Sequence, residues 1–123
     1  MKITIIGLGL IGGSIAKDLR ASGFASEFVG VDASEKHARE ALELGIVDKL
    51  ATLNEGIKNT DMVIIAIPVD KELEVLPAVL DAIDRNTTVT DMGYKKKTVT
   101  ELVKNHPKRK QFIPAHPMSG TEN

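Results

Sequence analysis

A cluster of glycines near the start of the chain constrains its fold more than any other feature of the sequence. Gly7, Gly9, Gly12 and Gly13 follow the apolar run of residues 2–6 and open a segment whose apolar residues recur with helical spacing. Glycines between a buried strand and a helix indicate a backbone that turns tightly and leaves room beside it. The segment therefore predicts a β-strand, a tight turn and a helix in immediate succession.

The glycine spacing matches the pattern G-x-G-x-x-G, in which each glycine has a physical reason. Gly7 makes the tight turn, Gly9 lets a pyrophosphate approach the backbone, and Gly12 lets the helix pack closely against the strand. The N–H groups and the dipole at the start of the helix then favour phosphate. The predicted cofactor-binding loop comprises Gly7, Leu8, Gly9, Leu10, Ile11 and Gly12.

An acidic residue at the end of the second predicted strand supports a dinucleotide site. Asp32 lies 20 residues after Gly12, where a carboxylate can accept hydrogen bonds from the ribose 2′-hydroxyl and repel a 2′-phosphate. No arginine follows Asp32 closely and Lys36 is the nearest cation, so the pattern favours NAD over NADP. The alternative is that the glycines serve only tight packing of helix on strand and that Asp32 caps a strand end.

Strand-like and helix-like segments alternate along the whole chain, which predicts an α/β fold with a doubly wound, mostly parallel sheet. Several apolar runs are nearly continuous, as expected for parallel strands covered on both faces. The predicted strands are Lys2–Ile6, Glu27–Val31, Lys49–Ala51, Met62–Ile67, Thr87–Thr90 and Gln111–Ala115. The predicted helices are Leu10–Ala21, Ser34–Leu44, Asp70–Ile83 and Thr98–Asn105, with a kink or a division into two short helices at Pro77.

Composition narrows the possible function classes. The 123 residues carry a net charge of −1, which gives no electrostatic reason to expect nucleic acid or an anionic membrane as a partner. The uncharged apolar stretch Met62–Val69 is too short to span a bilayer, and the absence of cysteine excludes disulfides and thiolate metal sites. We expect one cytoplasmic dinucleotide-binding domain over residues 1–123, without a metal site.

The stretch "AHPMSGTEN", residues 115–123, follows the last predicted strand at the sheet edge where ligands bind in such folds. His116 can serve there as a general base, because an imidazole changes its protonation state near neutral pH. Ile67 is the last residue of the predicted strand Met62–Ile67, and Pro68 follows it. Both are expected to line the dinucleotide cleft.

The chain resembles the N-terminal domain of the prephenate/arogenate dehydrogenase family in five segments, and the resemblance extends over essentially all of it. The matching segments are "GLGLIGGSIA" at 7–16, "GVD" at 30–32, "AIPV" at 66–69, "TDMG" at 90–93 and "HPMSGTE" at 116–122.

The resemblance implies NAD-dependent oxidative decarboxylation of prephenate to 4-hydroxyphenylpyruvate in tyrosine biosynthesis, with arogenate as the alternative substrate. In that reaction His116 takes the proton from the ring hydroxyl while hydride leaves the same carbon for the nicotinamide. Loss of the carboxylate as carbon dioxide makes the ring aromatic. Thr121 and Glu122 match family positions near the substrate and the nicotinamide.

The sequence departs from the family pattern in two ways. Tyr94 stands where family members carry a serine whose hydroxyl reaches the histidine and the substrate, so Tyr94 is expected at the substrate pocket. The family's C-terminal helical domain, which completes the substrate site and forms the dimer, is expected to be missing from this chain. The resemblance thus implies a homodimer for a full-length protein and little turnover by these residues alone.

Two other functions share the glycine pattern. A related β-hydroxyacid or imine-type reductase would rely on a lysine or another acid from a helical domain, and a dinucleotide-binding or sensing module would bind the cofactor without turnover. The other histidines are interpreted as exposed. His37 lies in the first turn of the second predicted helix, where the alternative to simple exposure is contact with the adenine, and His106 lies in a polar stretch before Pro107.

Overall fold

Five parallel strands form the sheet in the described part of the chain. The computed structural model describes residues 1–92 and 96–114, apart from the side chain of Lys96. The strands are β1 (Lys2–Ile6), β2 (Glu27–Val31), β3 (Lys49–Leu50), β4 (Met62–Ile65) and β5 (Thr88–Asp91). Their order is β3-β2-β1-β4-β5, so the winding direction reverses beside β1 and the predicted doubly wound sheet is confirmed.

Helices connect the strands and cover both faces of the sheet. They are α1 (Leu10–Ala21), α2 (Glu35–Glu43), α3 (Leu53–Gly56), α4 (Val69–Ala82) and α5 (Lys96–Val103), followed by a 3₁₀ turn at Arg109–Gln111. Within the two described ranges, no helix has both the length and the apolar character needed to cross a membrane.

Alternating strand residues divide the core into two layers. Ile3 and Ile5 of β1 are fully buried in one layer together with Phe28 of β2, on the face that α1 and α2 cover. Ile6 belongs to the opposite layer, where it clusters with Leu76 of α4 and with residues of α5. Because successive side chains of a strand point to opposite faces, the nearly continuous apolar runs supply both layers.

Most predicted element boundaries are close to those observed. The bounds of β1, α1 and β2 are as predicted, whereas β4 ends at Ile65, two residues before its predicted end. The short helix α3 has no counterpart among the predicted helices, because its four residues, Leu53–Gly56, are too few to show a helical period.

Helix α4 continues without interruption through Pro77, so the expected division into two short helices is wrong. Proline removes one amide donor from the helix. Its neighbours Leu76, Val79 and Leu80 are fully buried against the sheet. Burial of this apolar face stabilises the helix by more than the missing hydrogen bond costs.

The predicted strand Gln111–Ala115 is also wrong. Gln111 ends the 3₁₀ turn, and Phe112 forms a single isolated parallel bridge to Val89 of β5. Ala115 lies outside the described residues.

The Gln111 side chain holds the start of this segment in a turn, and the chain becomes extended only at Phe112. Its Nε2 donates to the backbone oxygens of Asp84 and Thr87, each at 2.8 Å, and so draws the segment against the loop before β5. Pro114 then has no amide with which to continue a strand ladder.

Candidate functional site

The turn between β1 and α1 is held by direct backbone contact. Gly7 has a φ of 101°, a conformation that favours glycine, and its amide donates to the Val31 oxygen at 2.7 Å. An ideal Cβ at Gly7 would collide with the Ala66 oxygen and lie 2.8 Å from Ile67 Cγ2. The turn therefore has the tight geometry expected of Gly7, and it lies against the residues that follow β4.

Gly12 brings helix α1 against the same turn. An ideal Cβ at Gly12 would overlap the backbone oxygen of Gly7, and it would lie 3.4 Å from the Ala66 Cβ. No side chain larger than hydrogen fits between the helix and the turn. The close packing expected of Gly12 is therefore present, and its partner is the turn backbone itself.

Gly9 differs from both neighbouring glycines because the protein itself does not require a glycine there. Its φ of −74° is open to any L-residue. Among the described residues, none but its chain neighbours has an atom within 4 Å of an ideal Cβ at Gly9. This space lies beside the first turn of α1. The first hydrogen bond of the helix runs from the Gly13 amide to the Gly9 oxygen at 2.9 Å. The amides before Gly13 are thus the donors that a phosphate can use.

Asp32 follows β2 and is attached to the glycine turn. Its Oδ2 accepts the Leu8 amide at 2.6 Å, and its Oδ1 accepts the Ser34 amide at 2.8 Å. The side chain is 12% exposed. Each carboxylate oxygen can accept a further hydrogen bond, so the held carboxylate can still receive ribose hydroxyls.

The apolar residues of the loop serve different purposes. Leu8 is buried in the core above Gly30, and an ideal Cβ at Gly30 would lie 2.7 Å from Leu8 Cδ1. The Leu8 amide donates to the Asp32 carboxylate. Leu10 and Ile11, by contrast, are 92% and 55% exposed at the start of α1. Of the three, Leu10 and Ile11 have exposed side chains, whereas the Leu8 amide helps to hold Asp32.

Ile67 and Pro68 complete this edge of the sheet. Ile67 is half-buried beside Gly7, and exposed Pro68 precedes α4, with its oxygen accepting the Glu72 amide at 2.9 Å. The carboxyl ends of β1, β2 and β4 therefore meet at one place, as in sheets that bind ligands where the winding reverses. The structure brings together Gly7, Gly9, Gly12, Asp32, Ile67 and Pro68.

The predicted substrate residues lie outside the described residues. These are Tyr94, His116, Thr121 and Glu122. Pro114, which follows the bridge to β5, is the last residue that the structure describes. Their roles therefore remain predictions.

The two remaining histidines differ from each other: the predicted exposure is confirmed for His37 but not for His106. His106 is only 15% exposed, with Nε2 at 2.7 Å from Asp81 Oδ1 and Nδ1 accepting the Lys108 amide at 2.9 Å. The expectation is wrong for His106, because this ring links the end of α5 to α4. His37 is 49% exposed, but its Nδ1 lies 3.6 Å from Asp32 Oδ2.

The position of His37 has a sequence signal that residue-by-residue reasoning missed. Ser34 caps α2 by accepting the His37 amide on its Oγ at 3.3 Å. The third residue after such a cap lies in the first helical turn, close to the strand end from which the helix starts. In this chain that strand end carries Asp32.

Comparison with known proteins agrees with this geometry. The family model described as prephenate dehydrogenase, nucleotide-binding domain, matches residues 15–123. The prephenate dehydrogenase of Bacillus subtilis (strain 168) is 38% identical over 126 residues, which cover 98% of this chain and 34% of that protein. The prephenate dehydrogenase of Lactococcus lactis subsp. cremoris is 36% identical, with the same shares covered. The chain thus spans about a third of the length of these two relatives.

Solved structures show the same fold. The structure of a prephenate dehydrogenase from A. aeolicus in complex with hydroxyphenyl propionate and NAD+ superposes with a TM-score of 0.82 at 34% identity, covering 100% of this chain and 43% of that one. An arogenate dehydrogenase from Synechocystis superposes with a TM-score of 0.79 at 28% identity, covering 100% of this chain and 43% of that one.

Proposed function

The chain belongs to the family of prephenate dehydrogenase nucleotide-binding domains, and from this premise we propose that residues 1–123 form the NAD-binding domain of a prephenate dehydrogenase. The reaction is the oxidative decarboxylation of prephenate to 4-hydroxyphenylpyruvate, and arogenate is the alternative substrate. The relatives are named for these activities, and one solved relative was obtained with NAD+.

The open space at Gly9 is the observation that carries the cofactor assignment. Gly7 and Gly12 are explained by contacts within the protein, but in residues 1–92 and 96–114 no atom beyond the chain neighbours of Gly9 would exclude a side chain there. A pyrophosphate bound to the amides at the start of α1 accounts for a glycine at this position.

The attached carboxylate of Asp32 supports NAD rather than NADP. Its hydrogen bonds from Leu8 and Ser34 hold it beside the loop, where it can accept the ribose hydroxyls. A 2′-phosphate at the same place would meet a like charge without compensation. We therefore expect tighter binding of NAD than of NADP.

The substrate half of the proposal depends on residues that match the family motif. NAD+, which the glycine loop and Asp32 would hold, would supply the acceptor for the hydride of the substrate. His116 accepts the proton of the ring hydroxyl, and loss of carbon dioxide leaves its electron pair in the ring, which becomes aromatic. The net reaction neither releases nor consumes a proton, so the proton on His116 returns to the phenol oxygen. Tyr94, Thr121 and Glu122 are assigned to the pocket around the substrate.

Titration of the chain with NAD and with NADP in a calorimeter tests the cofactor half. We expect NAD to bind more tightly, and equal or tighter binding of NADP would contradict the role of Asp32. Asp32→Ala combined with Ala33→Arg removes the like charge and adds a cation, so the preference is expected to narrow or reverse.

Turnover of prephenate tests the catalytic half. It is measured for the chain alone and for a chimera in which the chain replaces the matching third of the Bacillus subtilis relative. We expect slow or no turnover by the chain alone. In the chimera, His116→Asn should lower the rate roughly a hundredfold and remove its rise with pH, while NAD affinity stays unchanged. A variant that keeps both its rate and its pH dependence would remove His116 from the mechanism.

The proposal also includes a cytoplasmic location, which rests on the composition, and a homodimer, which rests on the family resemblance. Light scattering of the chain and of the chimera tests the second point. We expect weaker association of the chain alone, because the resemblance assigns the dimer contacts to the family's helical domain.

A further inference from the structure

A histidine lies beside the carboxylate that receives the ribose in the proposed function. His37 Nδ1 is 3.6 Å from Asp32 Oδ2, the oxygen that also accepts the Leu8 amide. The Asp32 side chain is 12% exposed, whereas that of His37 is 49% exposed. The pair is therefore open to solvent on the histidine side, where a group of a bound ligand can reach the imidazole.

Ser34 ties the backbone of His37 to Asp32. The Ser34 amide donates to Asp32 Oδ1 at 2.8 Å, and the Ser34 hydroxyl accepts the His37 amide at 3.3 Å. One capping residue thus connects the carboxylate and the first turn of α2. The imidazole starts from a backbone position that is fixed relative to Asp32.

A groove of about 560 Å³ between α1 and α2 passes both His37 and Gly9, so there is space for a ligand group beside the ring. The other charged residues that line it are Lys17 and Asp18 on α1 and Glu40 on α2. Lys17 and Asp18 carry opposite charges, and Glu40 adds one negative charge to the lining. On the outer side of α2, Lys36 is exposed and Arg39 pairs with Glu35 at 3.3 Å.

We infer that His37 is a specificity-determining residue for the ribose 2′ position, and that a proton on its imidazole weakens the discrimination against a 2′-phosphate. The inference rests on the proposed function, because it requires a dinucleotide whose ribose lies at Asp32. NAD and NADP differ only in that phosphate. A neutral imidazole leaves the charge of Asp32 uncompensated, whereas an imidazolium offsets it and donates a hydrogen bond to phosphate.

The experiment compares the ratio of the NADP and NAD dissociation constants at about pH 8 and about pH 5.5, the range in which an imidazole changes its charge. NADP is measured by competition against NAD, so weak binding is still quantified. The variant His37→Gln keeps a polar side chain without the titration. The 2′-phosphate itself titrates near pH 6, but equally in both proteins, so only the difference between them reports on His37.

The ratio of the NADP to the NAD dissociation constant should fall when the pH is lowered. We expect this fall to be about fivefold larger in the wild type than in His37→Gln, which is the scale of one exposed charge pair. NAD affinity should change by less than about twofold. His37→Lys should lower the ratio already at the higher pH. Arg39→Gln is the matched control, because it removes a cation of the same helix that pairs with Glu35, and it should follow the wild type.

Two negative outcomes are distinguishable. If NAD binds but the ratio depends on pH equally in the wild type and in His37→Gln, the inference is overturned and the proposed function stands. If NAD binds at neither pH, the proposed function is overturned, and the inference with it.

Discussion

The glycine-loop region, residues 6–32, and the C-terminal region, residues 81–113, are held in place by opposite means. In the glycine-loop region the backbone meets the backbone: helix α1 touches the turn at Gly12, and the turn touches the end of β4 at Gly7, with no side chain between them. These contacts exist because side chains are missing.

In the C-terminal region, long side chains bind backbone oxygens instead. Lys108 Nζ donates to the Ile83 oxygen at 2.8 Å, and Gln111 Nε2 donates to the oxygens of Asp84 and Thr87 at the same distance. These contacts connect the end of α4 and the start of β5 to the segment that leads towards residue 115.

The difference separates the demands of the fold from those of a ligand. A backbone contact cannot accept even a methyl group. Gly9 has neither such a contact in the described residues nor a positive φ, so the space beside it is open to a ligand. Contacts made by single hydrogen bonds are individually worth about 1 kcal/mol, and losing one changes stability without changing the architecture.

The largest effect is expected where the backbone contact is closest. Gly12→Ala should lower the free energy of unfolding by about 3 kcal/mol, because its Cβ overlaps the Gly7 oxygen and neither backbone can move independently. Denaturant unfolding measures this. Gly13→Ala is the matched control: its Cβ would be 3.7 Å from Ile46 Cδ1, so the better helix propensity of alanine should stabilise the chain by up to about 1 kcal/mol. Equal stability of the two variants would contradict the contrast.

Gly9→Val should separate binding from folding. The side chain has space in the protein, so stability should fall by no more than about 1 kcal/mol, the cost of a poorer helix cap. It occupies the position proposed for the pyrophosphate, so the NAD dissociation constant should rise at least roughly a hundredfold, about 2.7 kcal/mol. Calorimetric titration measures the affinity, with Gly13→Ala as the folded control. A folded Gly9→Val with unchanged affinity would show that this glycine does not face the cofactor.

Gln111→Met should affect the C-terminal region alone. Methionine keeps the length of the side chain but cannot donate a hydrogen bond to the Asp84 and Thr87 oxygens. The free energy of unfolding should therefore fall by about 1 to 2 kcal/mol. NAD affinity should not change. The exposed neighbour offers the control Lys110→Met, which should stay within about 0.5 kcal/mol of the wild type. A weaker NAD affinity in Gln111→Met would contradict this expectation, because it would show that the C-terminal region influences the glycine-loop region.

The smallest effect is expected for Asp48, whose carboxylate contacts the backbone at the start of β2. The Phe28 amide donates to its Oδ2 at 2.8 Å, and this bond, with Arg20 at 3.0 Å, lowers the pKa of Asp48 although partial burial opposes the shift. A lowered folded-state pKa contributes stability above the ordinary aspartate pKa, and this contribution is lost as the pH falls through the folded-state value.

Asp48→Asn should therefore cost roughly 0.5 kcal/mol at about pH 6, the usual size for a partly exposed ion pair. The difference from the wild type should shrink as the pH is lowered below about 4. Thermal unfolding across this range measures it. A difference that grows on acidification would mean that the Asp48 pKa is raised instead.

Local signals in the sequence were sufficient for the strands, for the helices α1 and α2, and for the glycine turn. Gly7, Gly12 and Asp32 are recognisable because neighbouring residues determine what they do: a turn, a close contact and the end of a strand. The short helix α3 and the turn at Gln111 are not recognisable in this way. The four residues of α3 are too few to show a helical period, and the turn at Gln111 depends on the oxygens of Asp84 and Thr87, which are far away in the chain.

The sequence by itself determined the α/β alternation, the loop that can receive a phosphate and the acid at the end of β2, because each is written in residues a few positions apart. Only the tertiary structure decided which glycine is left for a ligand, since that depends on whether Ala66 and Gly7 approach the missing Cβ. It also decided that His106 connects the end of α5 to Asp81 of α4. Such pairings arise when the sheet brings together the ends of separate elements, and no local pattern of residues encodes that distance.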